Sequence, residues 1–217
     1  MNHLRITKNN NSKHNIHGIS QPANNESLAG VIKGNEAEYY VKMEALDNIS
    51  DPSVIEDIAE TAKDDWIRLE AAVKSGNKKI LNEFARYHPD LRIRLEAAIE
   101  LKTEFLLCEI AKSAEDDCVQ EIALNHISDN ELLENIAING NNEKIRVEAA
   151  IMASDKKIIR ELTADITDQS LKFKLASYIN DSKLMRELYE NADELAIKEK
   201  AGEWLKNYFS IGENAFD

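Results

Sequence analysis

Glycine and proline, the residues that most often interrupt helices, are scarce in this chain. Its 217 residues include only seven glycines and three prolines. Both are unfavourable inside a helix, and proline costs about 3 kcal/mol relative to alanine. Their scarcity therefore favours an all-α fold.

Long apolar runs and a disulfide framework are also missing. No stretch approaches the roughly 20 apolar residues that cross a bilayer, and the N-terminus has no apolar segment of the secretory kind. Two cysteines, Cys108 and Cys118, are too few for a disulfide framework and lack CxxC spacing. We therefore expect a cytoplasmic protein with free thiols and no membrane partner.

Positive charge is the third shortage. Lys and Arg number 27 against 40 Asp and Glu, which gives a formal net charge of -13 at pH 7. Nucleic acids and anionic membranes are bound through Lys and Arg. The charge balance thus disfavours both partners and favours a protein partner with a basic surface.

The chain does contain a repeat of 26 residues. The hexapeptide IRLEAA begins at Ile67 and again at Ile93, and the variant IRVEAA begins at Ile145. Steps of 26 residues meet a branched aliphatic side chain each time: Val41, Ile67, Ile93, Val119, Ile145, Leu171 and Ile197. Two more columns, both mostly apolar, lie four and eight residues later, and this spacing marks one face of a helix. We call this predicted helix helix A.

A second predicted helix, helix B, follows from apolar pairs with the same period. The pairs are Val54-Ile55, Ile80-Leu81, Leu106-Leu107, Leu132-Leu133, Ile158-Ile159 and Leu184-Met185. Residues able to cap a helix precede each pair by three positions: Asp51, Asn77, Thr103, Asp129, Asp155 and Asp181. A similar column precedes helix A: Asp64, Asp90, Asp116, Asn142, Asp168 and Glu194.

These helix pairs predict a right-handed α-solenoid of about seven 26-residue repeats, because one short pair cannot bury its apolar face without a neighbour. We expect about fourteen helices between residues 25 and 209. An extra helix B capped by Asn25 begins the array, which ends on a helix A because the residues after Leu205 do not continue the pattern. Residues 1–24 are predicted to be a disordered, polar and basic tail, and residues 210–217 a C-terminal tail.

The repeated units resemble HEAT-like repeats, and leucine-rich-repeat-variant helical units are the near alternative. The resemblance rests on D-x-x-I-R-x-E-A-A at 64–72 and 90–98, on N-x-x-I-R-x-E-A-A at 142–150, and covers roughly residues 25 to 209. It implies an adaptor or scaffold, although a few such proteins are enzymes. It also implies a structural ladder between repeats, formed by Arg68, Arg94, Arg146, Asp64, Asp90 and Asp116. The alternative interpretation of the arginines is a row of anion-binding residues.

Five residues are candidates for contact with a partner. One outward column of helix A becomes apolar and aromatic toward the C-terminus, where it contains Met152, Tyr178 and Trp204. Such residues are enriched at protein interfaces, but they also suit the covered end of a solenoid. Phe105 and Cys108 interrupt the charged outer face predicted for helix B, which makes them candidates for a small apolar contact.

No catalytic, cofactor-binding or metal-binding residue is identified. No histidine is followed by glutamate, as the His-Glu motifs of HEAT-like iron hydroxylases would require, and the acidic body disfavours a DNA-binding groove. We therefore expect a monomeric, non-enzymatic scaffold without a cofactor. The alternatives are a HEAT-like enzyme of the lyase or base-excision type, or a secreted bacterial effector. Secretion is considered because the tail, residues 1–24, is polar, has a charge of +3 and contains no acid.

Overall fold

A computed structural model describes residues 24–213, with side chains up to Ser210. This range contains fourteen helices and no strand, and consecutive helices pack in pairs. The prediction of an all-α array of helix pairs is therefore confirmed. The chain divides into two compact units between Ser75 and Gly76. The predicted N-terminal tail, apart from Asn24, lies outside the described residues.

The first unit contains four helices. They are α1 (Asn25–Lys33), α2 (Tyr39–Asn48), α3 (Pro52–Thr61) and α4 (Asp65–Ser75). α1 and α3 are B helices, and each packs on the A helix that follows it, α2 or α4. Helices of the same type also touch, α1 with α3 and α2 with α4. The predicted apolar columns form the core, as shown by the buried side chains of Leu28, Ile32, Ile58 and Ile67.

The second unit contains ten helices in the same alternation. They are α5 (Lys78–Tyr87), α6 (Leu91–Leu101), α7 (Glu104–Ser113), α8 (Asp117–Asn125), α9 (Asn130–Asn139), α10 (Glu143–Ala153), α11 (Lys156–Asp165), α12 (Gln169–Ile179), α13 (Ser182–Asn191) and α14 (Leu195–Glu213). The A helices α6, α8, α10, α12 and α14 touch in that order, and so do the B helices α7, α9 and α11. The unit is therefore built as a layer of A helices beside a layer of B helices.

The recurring hexapeptide is explained by close packing. All its alanines are essentially buried: Ala71, Ala72, Ala97, Ala98, Ala149 and Ala150. A side chain of one methyl group lets the backbones of neighbouring helices approach, while Ile67, Ile93 and Ile145 fill the space beside them. The same packing requirement recurs in each repeat and selects the same residues.

Most helix B caps are those expected from the sequence. The side chains of Asp51, Asn77, Asp129, Asp155 and Asp181 accept hydrogen bonds from amides of the first helical turn. Two predictions were wrong. Thr103 makes no side-chain cap bond, and α1 is capped by Asn24 rather than Asn25. The extra residue lies between α1 and α2, because α2 begins 26 residues before α4 and the cap of α3 lies 26 residues before that of α5.

The turns that follow four A helices contain a left-handed residue, which is Gly76 after α4 and a residue other than glycine after α6, α10 and α12. Lys102, Ser154 and Asn180 have φ values of 54°, 59° and 56°, and each backbone N–H donates to a carbonyl of the last helical turn. Asparagine tolerates this conformation better than lysine or serine does. Local preference therefore favours this conformation at Asn180 but not at Lys102 or Ser154.

The C-terminal end differs from the predicted boundary. α14 has 19 residues and runs to Glu213, past the boundary placed between 209 and 210. Trp204 stacks on Tyr208, with ring centroids 4.7 Å apart. These residues are four positions apart, which is one helical turn, so their contact favours continuation of the helix.

Candidate functional site

The arginine column caps the C-terminal ends of B helices. The Nε atoms of Arg68, Arg94 and Arg146 donate to backbone carbonyls nine residues earlier, at 3.2, 3.5 and 2.9 Å respectively. Those carbonyls belong to Ala59, Ala85 and Ala137, each in the last turn of a B helix, where no backbone donor is available. A cation is also favoured at the negative end of the helix dipole. These contacts give the arginine column a structural role within each helix pair.

The aspartate column caps the opposite helix type. Carboxylates of Asp64, Asp90 and Asp116 accept from amides at the start of the A helices, at distances of 2.8 to 2.9 Å. Hydrogen bonds from the Val119 amide and from Arg92 hold the pKa of Asp116 below its usual value. The aspartates and arginines therefore recur together because a helix pair has two ends to cap.

Gln120 takes the place of the arginine in α8 and is the single buried polar residue of the described range. Its amide nitrogen donates to the Ala111 carbonyl at 3.0 Å and to Asn141 Oδ1 at 2.7 Å. Its amide oxygen accepts from Asn142 Nδ2 at 2.9 Å. Gln120 thus caps α7 and also links α8 to the loop before α10.

A second set of contacts joins successive repeats, and sequence analysis did not detect it. The Glu104 carboxylate, at the start of α7, accepts from the backbone amides of Ser128 and Asp129 at 3.0 and 2.9 Å, and from the Ser128 hydroxyl at 2.7 Å. Glu143 accepts in the same way from Thr167 and Asp168. We call these contacts inter-repeat latches. The sequence feature that could have revealed these contacts is the separation of 24 or 25 residues between each glutamate and the residues that donate to it.

We expect replacement of Glu104 with Gln to weaken the latch and change the acid dependence of stability. The Ser128 hydroxyl and the two amides lower the pKa of Glu104. A carboxyl group whose pKa is lower in the folded protein than in the unfolded chain stabilises the fold at pH values above its ordinary pKa of about 4.5. This stabilisation is lost as the pH falls through the pKa of the folded state. The variant should lose about 1 kcal/mol or less at pH 7, and the difference should shrink in acid.

Urea denaturation at a series of pH values measures this difference. Glu131→Gln, which alters an exposed carboxylate on α9, serves as the matched control and should change stability little. If the stability difference of Glu104→Gln from the wild type were the same at pH 3 and pH 7, the latch would not act through the ionised carboxylate.

Met152 and Tyr178 lie in corresponding positions on the neighbouring helices α10 and α12. Their side chains are 40% and 42% exposed. The Tyr178 hydroxyl lies 2.8 Å from Ser154 Oγ, at the end of α10, and this hydrogen bond holds the ring over the junction of the two helices. The two residues therefore present apolar surface on the same layer of A helices.

Two open grooves accompany these residues. A groove of about 430 Å³ is lined by Ile151 of α10 together with Phe173, Lys174 and Tyr178 of α12. A smaller groove of about 260 Å³ lies between α8 and α10 and includes Met152. The first is largely apolar, whereas the second is mostly polar or charged.

The other three candidates lie apart from these grooves. Trp204 is half-buried, packs against the apolar cluster of α12, α13 and α14, and stacks on Tyr208. Phe105, on α7, is 58% exposed. Cys108 is only 2% exposed, which differs from its predicted position on the outer face of helix B. Its Sγ lies 3.7 Å from the Leu132 carbonyl of α9, and burial raises the pKa of the thiol.

No group of three or more His, Cys, Asp or Glu residues in 24–213 is arranged to hold a metal ion. No helix in the described range is long and apolar enough to cross a membrane. Comparison of the chain with protein-family models, curated proteins and solved structures finds no match.

Proposed function

We propose that the chain is a HEAT-like scaffold that holds another protein on the A-helix layer of its second unit. The observation that supports this function is the alignment of Met152 and Tyr178 on neighbouring A helices, where each lines an open groove and the groove at Tyr178 is largely apolar. Protein interfaces are centred on such exposed aromatic and methionine side chains. The proposal includes the right-handed superhelix, the 26-residue repeats and a cytoplasmic location.

The net charge of the whole chain, rather than the charges beside the grooves, favours a partner that approaches by long-range attraction. Lys144 pairs with Glu121 and Lys174 pairs with Glu148, so the groove edges carry nearly balanced charge. The whole chain, by contrast, has a net charge of -13. A basic partner would be attracted by the whole chain over a distance of about one Debye length, ~8 Å in physiological salt, and then held by the apolar groove.

Site-directed variants test the proposed surface. The partner is identified by cross-linking of the full chain in extract of its native host, and binding of the purified partner is then measured kinetically. We expect Tyr178→Ala to raise the Kd about tenfold, chiefly through faster dissociation. Added salt should slow association of the wild type.

Tyr87→Ala is the matched control, because Tyr87 is an exposed tyrosine on the B helix α5. It should leave the Kd within about twofold of wild type, a difference of ~0.4 kcal/mol. Circular dichroism must show that each variant keeps its helix content. If Tyr87→Ala weakens binding and Tyr178→Ala does not, the A-helix surface is not the binding site.

A further inference from the structure

A stripe of five residues runs along one face of α14. Leu195, Glu199, Gly202, Lys206 and Phe209 are separated by three or four positions, a spacing that places them on the same side of a helix. We call them the α14 stripe. All except Leu195 line a cleft of about 550 Å³, which is completed in part by Tyr189 of α13.

The α14 stripe lies where other A helices contact the next helix pair. One repeat earlier, Phe173 and Ala176 of α12 correspond to Glu199 and Gly202, and both pack against the apolar cluster formed with α13 and α14. No described helix packs in the same way against the stripe. Its members at the two ends are exposed, Leu195 to 70% and Phe209 to 48%.

Gly202 leaves room for an aromatic ring in this cleft. A Cβ atom at Gly202 would lie 3.0 Å from the nearest ring carbon of Tyr189. The tyrosine ring therefore covers the glycine, yet Tyr189 remains exposed. In the earlier pairs of this unit, the positions that correspond to Tyr189 hold Ala85, Ala111 and Ala137, which are completely buried, and Thr163, which is half-buried. A bulky, exposed aromatic thus replaces a smaller and less exposed residue.

We propose that a second copy of the chain occupies this cleft, with the two α14 helices antiparallel about a two-fold axis between Gly202 and Glu203. Glu199 and Lys206 lie equally far from that point, on opposite sides of it. Each Glu199 therefore faces Lys206 of the second copy, and each Leu195 approaches Phe209 of the second copy. A two-fold interface requires this kind of self-complementary surface.

The charges select the antiparallel arrangement. In a parallel pair, Glu199 would face Glu199 and Lys206 would face Lys206, and like charges in contact are unfavourable. Neither residue makes an ion pair with another described residue. The two copies of Glu203 lie close to the axis and repel each other, in addition to the repulsion between two chains that each carry a net charge of -13. Removal of that charge should therefore tighten the dimer.

Charge reversal and rescue test the proposal on the full chain. Sedimentation velocity or light scattering at chain concentrations from about 5 to 500 µM covers the dimer dissociation constants expected for an interface formed mainly by one helix from each copy. Lys206→Glu and Glu199→Lys should each raise the dimer Kd about tenfold or more. The double variant, which restores the opposite charges, should recover most of the affinity. Glu203→Gln should lower the Kd.

Lys200→Glu is the matched control, since Lys200 is an exposed lysine of the same helix outside the stripe. It should leave the Kd within about threefold of the wild-type value. A chain that stays monomeric throughout the concentration range, as the sequence analysis expects, overturns the proposal. The proposal is also contradicted if Lys200→Glu and Lys206→Glu weaken the dimer equally, or if the double variant does not recover the affinity.

Discussion

Replacement of Gln120 with Glu should destabilise the second unit by about 3 kcal/mol at pH 7, because it removes the two donors of a buried side chain and leaves a buried negative charge. The nitrogen of Gln120 donates to the Ala111 carbonyl and to Asn141 Oδ1. An ionised carboxylate would place an oxygen against both acceptors. The shape of the side chain is unchanged, so the loss reports these hydrogen bonds and the charge.

The effect of Gln120→Glu should depend on pH. Burial and the two facing oxygens raise the folded-state pKa of the introduced carboxyl above its unfolded value, because they favour the protonated form. Such a group makes folding more favourable as the pH falls toward the unfolded pKa of about 4.3. Much of the lost stability should therefore return between pH 7 and pH 5.

Urea denaturation at both pH values measures this recovery. Asn125→Asp adds the same charge at an exposed position of the same helix and should change stability by about 0.5 kcal/mol or less. A loss for Gln120→Glu that is small, or that does not change with pH, would show that Gln120 is not the buried link seen in the structure.

Ile136→Ala should cost between about 2 and 5 kcal/mol, the usual range for truncation of a fully buried isoleucine. Ile136 is completely buried on α9, beside Ala137, whose carbonyl accepts from Arg146. α9 packs on α7, α10 and α11. A cavity at this position therefore weakens contacts with the helices on both sides.

Ile138→Ala on the same helix is the control, since Ile138 is 56% exposed. It removes the same atoms but should change the free energy of unfolding by about 0.5 kcal/mol or less. Thermal and urea denaturation followed by circular dichroism compare the two variants. Similar losses in both would mean that the helix B register of α9 is wrong.

The periodicity of the sequence was sufficient to predict the helices. Apolar residues at Ile67, Ile93 and Ile145 and caps such as Asp51 and Asp129 recur with the same period, and both signals depend only on neighbours in the chain. Register errors arose where the period changes by one residue, as at Asn24, or where an aromatic pair extends a helix, as at Trp204 and Tyr208.

The candidate surface was only partly predictable. Met152 and Tyr178 are exposed on adjacent A helices, in the outward column where the sequence placed them. Cys108 is buried although its position in the repeat suggested an outer face, because α9 packs over it. The depth to which a side chain is covered depends on the next helix, which the local pattern of α7 does not describe.

By itself, the sequence determined the helical class of this protein, the alternation of two helix types and the polar caps at most helix ends. Those features follow from a 3.6-residue periodicity and from hydrogen bonds within one turn. The tertiary structure alone decided the partners of long side chains. Arg146 could reach an aspartate or a carbonyl, and Glu104 could remain solvated, until the packing of neighbouring helices placed an acceptor beside the first and three donors around the second.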